Sequence, residues 1–336
     1  MYHVKVTNNA WKLLLRIAVS LVIVVFMAAK YDWSKLWGGI LGADLRWLCP
    51  VVLTVFLVHL IGACRWKLLY PPASIKELLG IIYLSRLFST VLPGQLFGEA
   101  AKVIYLNTQM KKCGVDADVE KITASVIMDK LTGFLSLFVI GILGIAASSI
   151  KDTAAVLTLV FFLSVTIASA CVLGLPKMDK LLINLDNIIG IRLKWAGRII
   201  RRVQIFLECW RSYLGRPSRL GLCMGLSFVF QFLGALNEYM VGKAVGFYVP
   251  LTDWCWIFAI LSIILLLPIS IAGLGVREAS LVGMLALFGV NAVDAITCSL
   301  LLLGCQLMDS GIGAIILMAG WTTGGKRKDK EDKNVF

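Results

Sequence analysis

Leu267-Pro268-Ile269-Ser270-Ile271-Ala272-Gly273-Leu274-Gly275-Val276-Arg277-Glu278-Ala279 interrupts an otherwise apolar run, residues 254–290. A helix that spans a bilayer needs about 20 consecutive apolar residues. Pro268 and the Gly273/Gly275 pair cut the run into halves too short for a comfortable crossing, and the break carries two charges. Residues 78–106 repeat the arrangement, broken by Leu92-Pro93-Gly94-Gln95-Leu96-Phe97-Gly98-Glu99-Ala100. Irregular backbone at membrane depth requires protein or a wet cavity around it. Both runs are therefore expected to be re-entrant helical hairpins, at about 75–110 and about 254–290, each leaving on the side it entered.

The rest of the chain supports a membrane reading. Of its 336 residues, 59% are hydrophobic and 16% charged, and the mean hydropathy is +0.86. Soluble domains average roughly 45–50% apolar and about 25% charged residues. The excess excludes a cytosolic enzyme, a secreted disulfide scaffold and a disordered regulator. It points to an all-α polytopic membrane protein. Six transmembrane helices are expected, at 13–29, 47–64, 122–148, 153–175, 220–245 and 293–321. The first is read as an uncleaved span, because no small-residue cleavage site follows it. Trp11, Trp33, Trp47, Trp66, Trp254 and Trp321 fall near the proposed ends, as an interfacial belt requires.

The net charge of +13 resembles a nucleic-acid signal, but the basic residues sit between the apolar runs. With a cytoplasmic N-terminus, 26 of the 33 Lys and Arg fall in segments 1–16, 65–121, 176–219 and the tail 322–336. This distribution obeys the positive-inside rule and places both termini in the cytoplasm of a cell whose cytoplasmic membrane holds the protein. No nucleic-acid partner is expected. Segment 176–219 reads either as a basic amphipathic helix on the anionic inner leaflet or as ordinary positive-inside charge. The tail 322–336 is expected to be disordered. Nine cysteines without a Cys-x-x-Cys pair read as reduced, buried thiols. Two histidines, His3 and His59, cannot build a metal cluster, so no metal or cofactor is expected.

The two broken runs are related. Gly94, Glu99 and Ala100 align with Gly273, Glu278 and Ala279 at an offset of 179, and Met128-Asp129 and Gly133 align with Met308-Asp309 and Gly313 at an offset of 180. Combined with the charge-derived topology, residues 1–148 and 149–321 become two inverted-topology repeats. In transporters, glycine- and proline-interrupted segments at matching positions of such repeats mark a binding site near the midplane.

Charges inside spans cost about 2.5–3.5 kcal/mol each on insertion scales, so they are candidates for function. Here they are Arg86, Glu99, Lys102, Asp129, Lys130, Glu238, Arg277, Glu278 and Asp309. Arg277 is the only basic residue between Lys243 and Lys326. Beside a helix start, its permanently charged guanidinium suits a phosphate, with Lys130, Lys102 or Arg86 assisting. The competing reading is a lock formed with Asp309 or Glu99. Glu99 and Glu278 are either carboxylates stabilised by a helix N-terminus or gates and proton sites. Asp129 and Asp309 are ties to the hairpins, with coupling as the alternative. Pro93, Gly94, Gly98, Pro268, Gly273 and Gly275 are backbone breaks. His59 reads as a packing residue and Arg65 as a cytoplasmic anchor. No nucleotide-binding loop, dinucleotide fingerprint or zinc-protease motif occurs, and a non-enzymatic role is expected.

The blocks Leu92-Pro93-Gly94…Gly98-Glu99-Ala100-Ala101-Lys102, Asp129-Lys130-Leu131-Thr132-Gly133 and Leu267-Pro268…Gly273-Leu274-Gly275-Val276-Arg277-Glu278-Ala279 resemble the membrane domain of lysylphosphatidylglycerol synthase/flippase proteins and related stand-alone flippase-like proteins. The likeness runs from about residue 10 to 321. Glu99 and Lys102 stand where that family more often carries Asp and Arg. The resemblance implies movement of lipids between leaflets: an anionic phospholipid, an aminoacylated phospholipid or a polyprenyl-phosphate-linked lipid. Synthesis of lysyl-lipid is not expected of residues 1–336, since the soluble aminoacyl-transfer domain of the full synthases is not among them. The rival readings are an intramembrane lipid-modifying enzyme and a scaffold within a lipid- or glycan-synthesis complex. Partners beyond the lipid would be a second copy of the chain or lipid-synthesis enzymes.

Overall fold

A computed structural model describes residues 33–92, 95–114, 118–148, 163, 217–267, 270 and 272–319. The expected span at 13–29, that at 153–175 apart from Leu163, nearly all of segment 176–219, the tail, and Pro93, Gly94 and Pro268 lie outside the described residues.

Every described element is a helix. In chain order they are α1 (Trp33–Leu41), α2 (Leu45–Leu69), α3 (Ile75–Val91), α4 (Gln95–Lys112), α5 (Val119–Ala146), α6 (Pro217–Val245), α7 (Leu251–Leu266), α8 (Val276–Ala286) and α9 (Ala292–Met318). Four of them, α2, α5, α6 and α9, are long and apolar enough to cross a membrane. The protein is an all-α polytopic membrane protein. The short helix α1 was not anticipated; it docks by Gly39 against Thr297 at the start of α9.

Local chemistry sets the helix starts. The Asp44 and Asp118 carboxylates accept the backbone N–H of Arg46 and Glu120, each at 2.9 Å. Asn291 accepts from Asp294 N–H at 2.9 Å. Ser74 and Glu77 form a reciprocal capping box. Such caps satisfy backbone donors that a helix's first turn leaves unpaired. The stops of α3 and α7 have one cause. Leu92 and Leu267 take extended backbone, which the proline that follows each imposes.

Both broken segments fold back. Gly98 of α4 lies against Ser85 and Ser89 of α3, and Cys113 just past α4 returns to within 4.0 Å of Glu77 at the start of α3. In the second hairpin, Leu281 and Leu285 of α8 pack with Trp254 and Ile257 of α7, and Trp256 faces Phe288 at 6.3 Å between ring centres. Each hairpin is cupped by one long helix of the other half. α3 packs on α9, where a Cβ on Gly313 would strike the Tyr83 carbonyl. α7 packs on α5, where a Cβ on Gly144 would lie 2.7 Å from the Thr252 oxygen. Small residues at helix interfaces permit backbone approaches this close. α2 packs on α6, α2 on α3 as α6 on α7, and α4 on α5 as α8 on α9. Exchanging α2–α5 for α6–α9 preserves all of these pairings.

The tryptophans near the helix ends differ in burial. Trp33 and Trp47 are exposed, but Trp66 and Trp254 are among the most deeply buried side chains. The Trp66 indole N–H donates to Ser125 Oγ at 3.1 Å, and Trp254 packs on Phe247 and against Gly242. Their polar N–H and large apolar area suit a helix junction as well as a headgroup layer.

Candidate functional site

Described residues of the two hairpins meet those of α2, α5, α6 and α9 around a polar cavity. It has two contiguous lobes of about 280 Å³ each. His59, Arg86, Ser89, Phe230, Glu238 and Phe258 border both and form the waist between them. One lobe adjoins the first hairpin and includes Glu99, Lys102, Asp129 and Lys130. The other adjoins the tip of the second hairpin and includes Ala272, Gly273, Arg277, Gln306 and Asp309.

The first lobe is walled by an ion network. Arg65 Nε donates to Asp129 Oδ1 at 2.6 Å and a terminal nitrogen of Arg65 donates to Ser227 Oγ at 3.2 Å. Lys102 Nζ is 3.7 Å from Asp129 Oδ2 and 3.1 Å from Glu99 Oε2, and Lys130 Nζ is 3.0 Å from Glu99 Oε1. Arg65 also lies over the Phe230 ring at 5.0 Å, and Lys102 faces Trp66 at 5.6 Å. Asp129 and Lys130 have different partners, as their adjacent positions on one helix require, but Lys102 and Glu99 join them into one chain. Arg65 is no cytoplasmic anchor. It is buried, and its partner stands on a helix 64 residues away in sequence. Its position at the end of an apolar run gave no hint of that contact.

The second lobe is built by the strained tip. Ala272, Gly273 and Gly275 have φ of 54°, 77° and 81°, a region glycine enters freely and alanine rarely. This turn aims the Ala272 carbonyl at Arg277, whose terminal nitrogen donates to it at 3.0 Å. The other terminal nitrogen reaches Gln306 Oε1 at 3.3 Å. Arg277 is only 4% exposed. Among the described residues no carboxylate comes within ion-pairing distance of it, and its Nε has no partner. It therefore pairs with neither Asp309 nor Glu99. Asp309 Oδ2 lies 2.8 Å from His59 Nε2, without the alignment of a ring N–H hydrogen bond, so Asp309 binds α2 rather than a hairpin. His59 is thus more than a packing residue: it faces a carboxylate across two helices and touches the Tyr83 ring.

Glu278 is fully engaged. It caps α8 by accepting the Gly275 N–H and accepts the Ser299 hydroxyl at 2.7 Å, and it borders neither lobe. Gly98 permits close packing of the first hairpin's arms; a Cβ there would lie 2.6 Å from the Ser85 oxygen. Arg86 borders both lobes, and among the described residues no carboxylate pairs with it. Glu238, Gln231, Thr90 and Gln306 complete the polar wall. Glu238 stood out in the sequence as a charge within a span. The uncharged three had no distinguishing signal, because a lone amide or hydroxyl in an apolar helix is common.

Taken together, Arg65, Arg86, Lys102, Lys130 and Arg277 face the carboxylates of Glu99, Asp129, Glu238 and Asp309. The sum is one positive charge when all four carboxylates are ionised. Such a cavity can hold an anion whose charge completes the balance, using the two guanidiniums that no carboxylate neutralises.

Fold and site define a polytopic α-helical membrane protein with a charged cavity bordered by two folded-back helical hairpins and the long helices around them. The chain belongs to the family described as the lysylphosphatidylglycerol synthase transmembrane region, whose model matches residues 13–313. Membership relates it to the modification or flipping of membrane lipids. Comparison with curated proteins and with solved structures finds no match.

Proposed function

We propose that this protein moves a lipid with an anionic, phosphate-bearing headgroup between the leaflets of the cytoplasmic membrane. The observation that carries the reading is the pair Arg86 and Arg277. Both line the cavity, and neither has a carboxylate partner among the described residues. Arg277 is buried and Arg86 half-buried; a cation withdrawn from water without a counter-ion is costly, and a headgroup phosphate would supply the missing charge in bidentate geometry. The acyl or polyprenyl tails would stay in the bilayer while the cavity shelters the head. The two halves would be inverted repeats with both termini cytoplasmic, rocking about the shared waist so that first one lobe and then the other opens. Chemistry is not part of this reading, and the carboxylates serve charge balance and gating.

The test is movement of fluorescent lipids across proteoliposomes containing the protein alone, with zwitterionic, anionic and polyprenyl-phosphate lipids compared. A charge-assisted hydrogen bond is worth about 1.5–3 kcal/mol, and 1.4 kcal/mol is about tenfold. Arg277→Gln is thus expected to slow anionic-lipid movement by about tenfold or more. Arg277→Lys should recover only part, because an ammonium lacks the guanidinium fork. Wild-type rates in a folded Arg277→Gln protein would end the proposal. Product formation from a lipid donor and acceptor, without movement, would favour the lipid-modifying enzyme instead.

A further inference from the structure

Buried polar atoms nearly always have partners, so those without one at the waist need an explanation. Neither ring nitrogen of His59 has an aligned hydrogen bond, and Glu238 Oε2 has no partner at all. Both side chains are more than nine-tenths buried, at 2% and 7% exposure, and both border the two lobes. His59 Nε2 nevertheless lies 2.8 Å from Asp309 Oδ2. A neutral imidazole gains little from that approach, whereas a protonated one forms a buried ion pair there. Histidine is the side chain whose unperturbed charge change falls between pH 5 and 8.

We propose that His59 with Asp309 is a proton-binding site that couples lipid movement to the proton gradient, an inference that rests on the lipid-transport reading. The groups that face His59 are Asp309 and Cys305 from α9, Arg86 and Tyr83 from α3, Glu238 from α6 and Lys102 from α4. Burial, Arg86 and Lys102 oppose protonation, while Asp309 favours it. A phosphate bound by Arg86 would neutralise the nearest opposing cation, so headgroup and proton would each favour the binding of the other. Because His59 borders both lobes, a proton taken up through one can leave through the other without a second relay. The proton goes from solvent to His59 Nε2, is held against the Asp309 carboxylate, and returns to solvent on the far side. One proton carried with one phosphate monoanion makes the cycle electroneutral.

The experiment uses proteoliposomes of the full chain with fluorescent phosphatidylglycerol as probe and a pH-sensitive dye inside. An inside-alkaline pH gradient is expected to raise lipid movement severalfold with matching proton entry, while a potassium-diffusion potential leaves it unchanged. In His59→Gln, and in Asp309→Asn, the ratio of movement with and without the pH gradient should fall to about one, whatever the basal rate. Size-exclusion and melting profiles establish that either variant is folded. Wild-type lipid movement that ignores the pH gradient and brings no proton entry overturns the proton site while leaving lipid transport standing. A His59→Gln protein that keeps its pH-gradient response overturns it as well. Should wild type move no lipid, the transport reading fails and the coupling built on it fails with it, whether or not protons enter.

Discussion

Replacing Gly313 by alanine is expected to destabilise the protein by about 1–3 kcal/mol, the range for overpacking a tight interface, and valine should prevent folding. An ideal Cβ at Gly313 would overlap the Tyr83 carbonyl oxygen, lie 2.9 Å from its carbon and lie 3.1 Å from Leu87 Cβ. The first two obstacles are backbone. No rotamer change relieves them, so α9 and α3 must separate and the wall that carries Gln306, Ser310 and Asp309 must shift. Gly311 and Gly304 lie on the same helix with nothing within 4 Å of a Cβ. Alanine there should be neutral or stabilising by up to about 1 kcal/mol through helix propensity. Thermal melts in detergent decide the matter. A Gly313→Ala protein that melts with wild type, or as high as Gly311→Ala, would mean the α3–α9 seam is looser than described.

The second large effect concerns the ion network of the first lobe. Asp129→Ala removes the carboxylate that Arg65 holds at 2.6 Å and that Lys102 approaches at 3.7 Å. Breaking one partner of a buried pair costs about 3–5 kcal/mol, because the other charge stays buried without compensation. Most of the protein should then be lost to aggregation on extraction. The double variant Arg65→Met with Asp129→Leu should recover much of that stability, since an apolar pair of similar volume avoids the stranded charge. Chemical denaturation of wild type and the two variants shows whether removing the stranded charge restores stability. If the double variant is as unstable as Asp129→Ala, the pair contributes more than charge compensation, and the network would have to hold the first hairpin in place. Ser227 and Phe230, which also contact Arg65, are the groups through which it would do so.

Much of this was legible in the chain itself. Composition and run length identify a polytopic helical membrane protein, and the observed α2, α5, α6 and α9 begin and end within a few residues of the expected spans. The reason is that hydropathy and capping are local: Asp44, Asp118 and Asn291 mark helix starts by chemistry that reaches no further than three residues. The proline and glycine breaks at 93–94 and 268–275 likewise declare a stop in the backbone wherever the helix sits. The list of costly charges in apolar surroundings also pointed to the cavity, and Arg86, Glu99, Lys102, Asp129, Lys130, Arg277 and Asp309 all line it.

What the sequence could not say is who faces whom. Arg65 at the end of one apolar run and Asp129 within another become partners only when α2 crosses α5, and His59 meets Asp309 across a separation of 250 residues. Glu278 and Glu99 occupy matching places in the alignment, yet one is consumed by its own helix cap and Ser299 while the other bridges two lysines. Trp66 and Trp254 look interfacial by position and are buried by packing. Periodicity and hydropathy record how each segment meets its solvent, and so they determine helices, breaks and the residues too polar to face lipid. The pairing of those polar residues depends on distances between helices remote in sequence. Close approach at Gly98, Gly144 and Gly313 sets those distances, and tertiary structure alone decides them.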